Sequence, residues 1–402
     1  MASEPHTGYP LDGVRILELG QIIAGTYGGQ LLSDLGAEVI KVESPQGDLG
    51  RLTSVGPYKG HSSLFLTYNR NKKSVVIDLK TERGLSLFHD LVKISDVVVD
   101  NFRPGVLMRL KIDHGTLKAI NPRIIQCSVT GFGTEGEYKD LPALDIIIQS
   151  ISGMLAITGE KGGPPVRVGL PISDLGGGAF SCQAILAALY ERERTGVGRR
   201  VEVSMFDAML SLLSYLGTLW LSNGELPVPM GTQHEYTVPW QAFRTKDGYL
   251  VVAARQEKFW LLMCEAMDIN DLATDPRFSD GAARIENRDE LIPILEAEFL
   301  KDTAANWLAK FREHGVPAAP VNNLDAVFAE PPVAERDMIV GYEHPEVGPV
   351  RMPGNPIKMD GITETISEPA PLLGEHTDEI LSELLNLGTD DIDELRDIGV
   401  VK

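Results

Sequence analysis

The first half of the chain alternates short apolar runs with helical patterns, and that alternation leaves few folds open. VRILELG (14–20) reads as a buried strand ending at Gly20, and TYGGQLLSDLG (26–36) as a helix that stops at Gly36. AEVIKVE (37–43), KSVVIDL (73–79), DVVVDNF (96–102) and PRIIQCSVTGFG (122–133) read as further strands, with helical spacing over GLSLFHDLVKIS (84–95). Strands alternating with helices make βαβ units, and these assemble into a parallel sheet. LGGGAFSCQAILAALYERERTG (175–196) predicts a long helix with a glycine stop at Gly196, and RRVEVSMFDAMLSLLSYLG (199–217) a short strand followed by an apolar helix.

At 402 residues the chain exceeds what one core usually serves, so two domains are expected. NGELPVPMGTQHEYTVPW (222–240) is rich in Pro, Gly and polar residues and reads as a linker. FRTKDGYLVVAA (243–254) carries a hairpin signal, helical patterns follow at 257–268 and 287–314, and Pro-rich connections recur near 316 and 331–332. Residues 376–400 predict a terminal helical region. The expected division is 1–220 for a large α/β domain, 225–330 for a smaller one, and 331–402 as a segment returning to the first.

Charge and motif content exclude several classes. A net charge of -20 repels a nucleic-acid backbone, so nucleic acid is not an expected partner, although a few converging Lys and Arg would still hold an anionic ligand. Cys127, Cys182 and Cys264 have neither metal nor disulfide spacing and fit buried thiols in a reducing cytoplasm. The start, MASEPHTGYPLDG, is not a signal peptide, and with no run of 18 apolar residues no membrane span is expected. Gly20, Gly25, Gly28 and Gly29 follow the first strand, but their spacing is wrong for a dinucleotide fingerprint. There is no P-loop and no G-x-S-x-G elbow, His234-Glu235 lacks a second His four residues on, and no metal cluster is expected from eight scattered histidines.

VRVGLPISDLGGG (166–178) stands out. A strand-like run ends at Asp174 and three glycines open a long apolar helix. The plain account of Asp174 is a helix cap. The chemical account is a nucleophilic carboxylate beside glycines that let a bulky ligand approach, with helix-start amides as donors.

In several blocks, in order, the chain resembles the class III CoA-transferases, the CaiB/BaiF family that includes formyl-CoA and carnitine CoA-transferases. The blocks are PLDGVRILELGQIIAGTYGGQLLSDLGAEVIKVESPQGD (10–48), YNRNKKSVVIDLK (68–80), DNFRPGVLMRL (100–110), NPRIIQCSVTGFG (121–133), ISDLGGG (172–178), RTGVGRRVEVSMFDAML (194–210) and APLLGEHTDEIL (370–381). The resemblance implies a large Rossmann-like domain with a six-stranded parallel sheet built from both chain ends, a smaller α/β domain, and an interlocked-ring homodimer or a heteromer with a related subunit. It implies coenzyme A as acyl carrier, no metal, and Asp174 as the residue that becomes first a mixed anhydride and then an aspartyl-CoA thioester. Arg109 matches an arginine on the CoA side, Lys80 and Ile77 match positions beside the adenine, and Asn101 and Phe102 match a pair framing the nucleotide. Ile22, Ile23 and Ala24 match the loop along the pantetheine. Solvated charge is the plainer account of Arg109 and Lys80, and core packing of Phe102. Asp145 matches an acidic position near the active site, where it either orients substrate, tunes Asp174, or serves the structure. Glu43 and His376 read as local hydrogen-bonding residues.

The chain departs from the family pattern at two places. Ser44 stands where some relatives carry a basic residue, and GTQHEYTVPW (231–240) lacks the glycine run that covers the nucleophile in formyl-CoA transferase, which points away from oxalate as substrate. The resemblance points to succinyl-CoA as donor and a dicarboxylate as acceptor, with Arg167 as a candidate partner for a second carboxylate. Two other readings remain within the fold. A 2-methylacyl-CoA racemase needs a His-Asp pair, but Leu144 precedes Asp145. A non-catalytic subunit would not need the intact DLGGG block.

Overall fold

The computed structural model describes residues 8–53, 56–360, 362 and 368–402. Six strands form the main sheet: β1 (Arg15–Glu18), β2 (Glu38–Glu43), β3 (Lys72–Val76), β4 (Val97–Asp100), β5 (Ile125–Thr130) and β6 (Arg200–Ser204). Their order is β3-β2-β1-β4-β5-β6, and every pairing is parallel. The α/β class and the parallel sheet read from the sequence are therefore what the chain forms. The chain winds outward from β1 to β3 and then returns to place β4 on the other side of β1. Loops leaving the carboxyl ends of β1 and β4 diverge there, and such a reversal opens the crevice where α/β sheets take ligands.

Both faces of the sheet are covered, which is why its strands read as nearly continuous apolar runs. Leu17, Ile40 and Val98 meet Leu87, Phe88, Leu91 and Val92 of the Glu82–Lys93 helix on one face. On the other, Ile16, Val39 and Val97 meet Cys182, Ile185 and Leu189 of the Ile172–Thr195 helix. That helix is long and apolar enough to cross a bilayer, yet half of it is buried inside the protein. The three cysteines are buried and unbridged, and burial pushes the Cys182 thiol up to about 11. The C-terminal segment returns to the sheet: Val401 bridges Ile77, and the Val400 carbonyl accepts from the Asp78 amide at 2.8 Å.

The chain divides into two compact units, Met1–Met154 with Val168–Gly224 and Pro332–Lys402, and Leu155–Arg167 with Glu225–Pro331. Residues Leu155–Arg167, placed with the first 220 by sequence, thus group with the second unit. That unit is built on an antiparallel sheet of Trp240–Arg244, Tyr249–Ala253 and Ala318–Pro320, with Phe243 stacked on Phe299 at 4.4 Å between ring centroids. Three local expectations change. The run at 166–169 forms no strand. The helix expected from residue 175 begins at Ile172. The pattern at 287–314 is two helices, Arg288–Phe299 and Ala304–His314, the second capped by the Thr303 hydroxyl, which accepts from the Asn306 amide.

Glycines set how closely the Tyr27–Ser33 and Ile172–Thr195 helices meet. A Cβ on Gly28 would lie 2.2 Å from Ser181 Oγ and 2.9 Å from the Gly178 carbonyl oxygen. A Cβ on Gly178 would lie 2.8 Å from Tyr27 Cβ and 3.2 Å from the Gly28 nitrogen. In an exposed helix Gly→Ala gains up to about 1 kcal/mol. Here Gly178→Ala is expected to destabilise by about 1–3 kcal/mol through overpacking. Urea unfolding checks it: the midpoint should fall with an unchanged slope, and an unchanged or higher midpoint would show that these helices part freely.

Candidate active site

A cavity of about 570 Å³ opens at the carboxyl ends of β1 to β4, within the usual range for small-ligand sites. Ile77, Lys80, Phe102 and Arg109 line it, bringing together four residues named from the sequence. Lys111 lines it too and was not singled out by sequence; its φ of 56° turns the chain just beyond the Val106–Arg109 helix. Lys80, Arg109 and Lys111 are exposed, so three cations share one rim on a strongly acidic chain. Ser44 lies in the same lining. Glu43 is there as well, but its carboxylate is taken up by Arg51, whose Nε and Nη2 donate at 2.8 and 2.7 Å, and by the Ser74 hydroxyl. His376 accepts from the Ser74 amide through Nδ1 at 3.2 Å. Both are local hydrogen-bonding residues.

The turn after β4 is fixed by Asp100, which is fully buried and accepts from the Ser128 hydroxyl at 2.8 Å and the Phe102 amide at 3.3 Å. Burial pushes its carboxyl up to about 6. Asn101 is not in the cavity lining. Its amide group is used in both directions by Gln21, accepting from the backbone N–H at 2.9 Å and donating to the carbonyl at 3.0 Å. Ile22 is half-buried outside the lining, Ile23 is buried, and Ala24 packs with Val129, Ile148 and Met209. The cavity rim therefore meets this loop at Gln21, which does line it.

Asp174 is the third residue of the Ile172–Thr195 helix rather than its cap: Pro171 holds the cap position, with no side-chain cap bond. Asp145 does the capping from a neighbouring helix. Its Oδ1 accepts from the Ser173 amide at 3.0 Å and the Ser173 hydroxyl at 2.8 Å, and its Oδ2 accepts from Gln149 Nε2 at 2.7 Å. Gln149 in turn accepts from the Val168 amide at 2.9 Å. Burial pushes the Asp174 carboxyl up to about 7, and the Asp145 carboxylate adds to the rise. The three glycines after Asp174 do not clear a path for a ligand. All are buried against neighbours: a Cβ on Gly176 would meet Met209 at 2.9 Å, and one on Gly177 would meet Met205 at 3.0 Å.

One loop links the cavity to this carboxylate. It starts at Gln21 on the rim and ends in the helix whose Gly28 abuts Gly178, one turn past Asp174. The Tyr27 ring meets Tyr68 edge-on at 5.7 Å, and the Tyr68 hydroxyl is pushed up by burial, by Tyr27 and by the charge of Asp174. Leu144, immediately before Asp145, is 66% exposed and has no proton to exchange. Among the described residues no three His, Cys, Asp or Glu side chains converge as metal ligands do.

The family model of CoA-transferase family III matches residues 11–377. Succinyl-CoA:glutarate CoA-transferase of Homo sapiens is 36% identical over 393 residues, covering 98% of this chain and 90% of that protein. Acetyl-CoA:oxalate CoA-transferase of Acetobacter aceti is 39% identical over 370 residues, covering 91% and 93%. A crystal structure of a CaiB/BaiF family protein from Brucella suis superimposes with a TM-score of 0.85 at 36% identity, covering 94% of this chain and all of that one (100%). With a match that spans both the cavity and the Asp174 helix, the chain belongs to CoA-transferase family III and is a class III CoA-transferase.

Proposed function

We propose that this enzyme moves CoA from succinyl-CoA to a second dicarboxylic acid, with Asp174 as the covalent carrier. The observation that carries the reading is a desolvated carboxylate at one end of the Gln21–Tyr27 loop and a cation-rimmed cavity at the other. Lys80, Arg109 and Lys111 suit the nucleotide phosphates of CoA, with Lys111 standing in for the cation that Ser44 lacks. Succinyl-CoA as donor draws on the name of the human relative and on the sequence resemblance. A homodimer and a cytoplasmic location belong to the same proposal.

The chemistry balances without water or an added proton. An Asp174 oxygen attacks the thioester carbonyl, the C–S bond breaks, and CoA leaves as thiolate from a mixed anhydride. The thiolate attacks the Asp174 carbonyl carbon and expels the donor acid as its carboxylate, leaving an aspartyl thioester. An acceptor carboxylate then displaces the thiolate to form a second anhydride, and the thiolate returns to the acceptor acyl carbon, freeing Asp174. The partly desolvated carboxylate is the more reactive nucleophile, and exclusion of water protects the anhydride from hydrolysis.

Asp174→Ala is expected to lower transfer from succinyl-CoA to glutarate or mesaconate by about a thousandfold or more, with CoA binding retained. Hydroxylamine added during turnover should modify Asp174 in the wild-type enzyme. Transfer surviving the substitution would refute the mechanism, and rapid α-deuteration of a 2-methylacyl-CoA in deuterated water without acceptor would favour a racemase.

The nucleophile must be ionised, so single-turnover acylation in the free enzyme should rise with pH through about 7. Asp145→Asn removes a neighbouring negative charge and should move that midpoint to lower pH; a midpoint that stays or rises contradicts the assignment. The same shift affects stability with a definite sign. The folded carboxyl holds its proton more tightly than the unfolded chain does, with its ordinary value of 3.8, so ionisation weakens the fold as pH rises from about 4 to about 7. Asp174→Asn should therefore be roughly 1–4 kcal/mol more stable than wild type at pH 8 and equal to it at pH 4.

Lys111→Ala should raise KM for succinyl-CoA by about three- to tenfold, or roughly 1 kcal/mol, with kcat unchanged. A truncated pantetheine thioester without the nucleotide should show no change. Equal effects on both substrates would place the phosphates elsewhere.

A further inference from the structure

The loop from Gly20 to Thr26 is held from beneath by buried ions. Lys41 Nζ donates to the Gly20 carbonyl at 2.8 Å and pairs with Asp48 at 2.7 Å and Glu18 at 3.2 Å. Asp48 Oδ1 accepts from the Ile22 amide at 3.1 Å. Lys72 Nζ donates to the Thr26 carbonyl at 2.9 Å and pairs with Glu18 at 2.8 Å. The Thr26 hydroxyl donates to the Ile22 carbonyl at 2.8 Å. Exposure of Glu18, Lys41, Lys72 and Asp48 is 0, 1, 1 and 2%. None of the four touches the cavity, so neither solvent nor a bound phosphate accounts for them.

What they hold is strained. Ile22 has a φ of 66°, a left-handed conformation that a β-branched residue avoids. Such an outlier persists only where the surroundings over-determine it, and here they do. Asp48 fixes the Ile22 amide, Asn101 fixes both backbone groups of Gln21, and Thr26 fixes the Ile22 carbonyl. All of these contacts lie within the protein.

We propose that Lys41 and Asp48 are positioning residues that set the Gly20–Thr26 loop in its substrate-ready shape in the free enzyme, Asp48 by keeping Ile22 left-handed. The inference deepens the function proposed above and rests on its reading that this loop runs between the CoA cavity and Asp174. A loop that samples other shapes is competent only part of the time, and apparent affinity falls by that fraction. Loss of the clamp therefore raises KM and leaves kcat nearly intact, whereas general loss of structure lowers the active fraction instead.

Amide hydrogen exchange on the wild-type chain, alone and with free CoA, tests the shape directly. The Gln21 and Ile22 amides are expected to be protected in the free chain and to change by less than about twofold with CoA; rapid exchange that slows on CoA binding would overturn the proposal. Steady-state kinetics test the consequence. Asp48→Ala is expected to raise the succinyl-CoA KM by about tenfold. Adding Ile22→Gly to that variant should restore most of the loss, because glycine adopts a positive φ without being held. A double variant as impaired as Asp48→Ala alone defeats the assignment, as does a folded Asp48→Ala enzyme with wild-type KM. If the wild-type chain transfers no CoA at all, the proposed function fails, while the exchange result still decides whether the clamp exists.

Discussion

Two lysines and two carboxylates with no access to water lie beneath the first turn of the main sheet, and the site is organised around them. Each buried ion costs several kcal/mol to strip of solvent, so a group of four persists only if it is paired and fully bonded. Glu18, at the end of β1, receives both Lys41 and Lys72, and Asp48 completes the balance of charge. Burial alone would lower the Lys41 pKa, but Asp48, Glu18 and Glu43 outweigh it and keep the ammonium charged. The three strands β2, β1 and β3 are adjacent through parallel ladders: Glu18 pairs directly with Lys41, while Lys72, paired with Val39, lies two residues back and reaches forward to Glu18. Replacing such a group by apolar side chains often leaves stability unchanged or improved. The ions are better explained by what they orient than by stability alone: they fix backbone groups that a methyl or an isobutyl group has no means of holding.

Charge is used in two opposed ways at the cavity and at Asp174. At the cavity, cations from the Lys80 turn and from the segment around Arg109 and Lys111 sit in water, where they cost little and would suit the phosphates of the proposed ligand. At Asp174 a single carboxylate is partly withdrawn from water next to a second one. The first turn of a helix favours an anion, but burial and Asp145 act the other way and prevail. Asp145 is well placed to do this without reacting itself, because both its oxygens are occupied by Ser173 and Gln149. The net charge of -20 obscures the arrangement, since it sums over surface that neither group sees.

Much of the frame was legible because parallel strands covered on both faces write themselves as apolar runs. The six expected at 14–20, 37–43, 73–79, 96–102, 122–133 and after 199 all form, each shorter than its run. The hairpin of Ile339–His344 and Gly348–Pro353 was not read, since Pro345, Pro349 and Pro353 mark the stretch as loop although its residues alternate between buried and exposed. Of the site, Asp174 and four cavity residues followed from block resemblance, as did the local roles of Glu43 and His376. The buried lysines did not. A lysine in AEVIKVE or YNRNKKSVV reads as the wet side of a strand, and only the structure shows that Lys41 and Lys72 are buried while Lys73 keeps partial exposure. Nor does sequence alone say whether a glycine makes room for a ligand or for a helix.

That last ambiguity matters for how the proposed nucleophile is placed. Asp174 makes no capping bond of its own and is positioned by the helix that carries it. The helix is drawn close by residues with no chemistry: Gly178 against Tyr27 and Gly28, Gly177 against Met205, Gly176 against Met209. Any side chain at these points would push the helix away from the loop that ends at Tyr27, and the carboxylate would move with it. The buried ions hold that loop at Gly20, Ile22 and Thr26, and the glycine contact holds the helix that follows it. The separation of the cavity from the Asp174 carboxylate is then set by these anchorages rather than by a ligand, which suits the proposed mechanism, in which one acyl group passes between a thiol and a carboxylate several times without escaping.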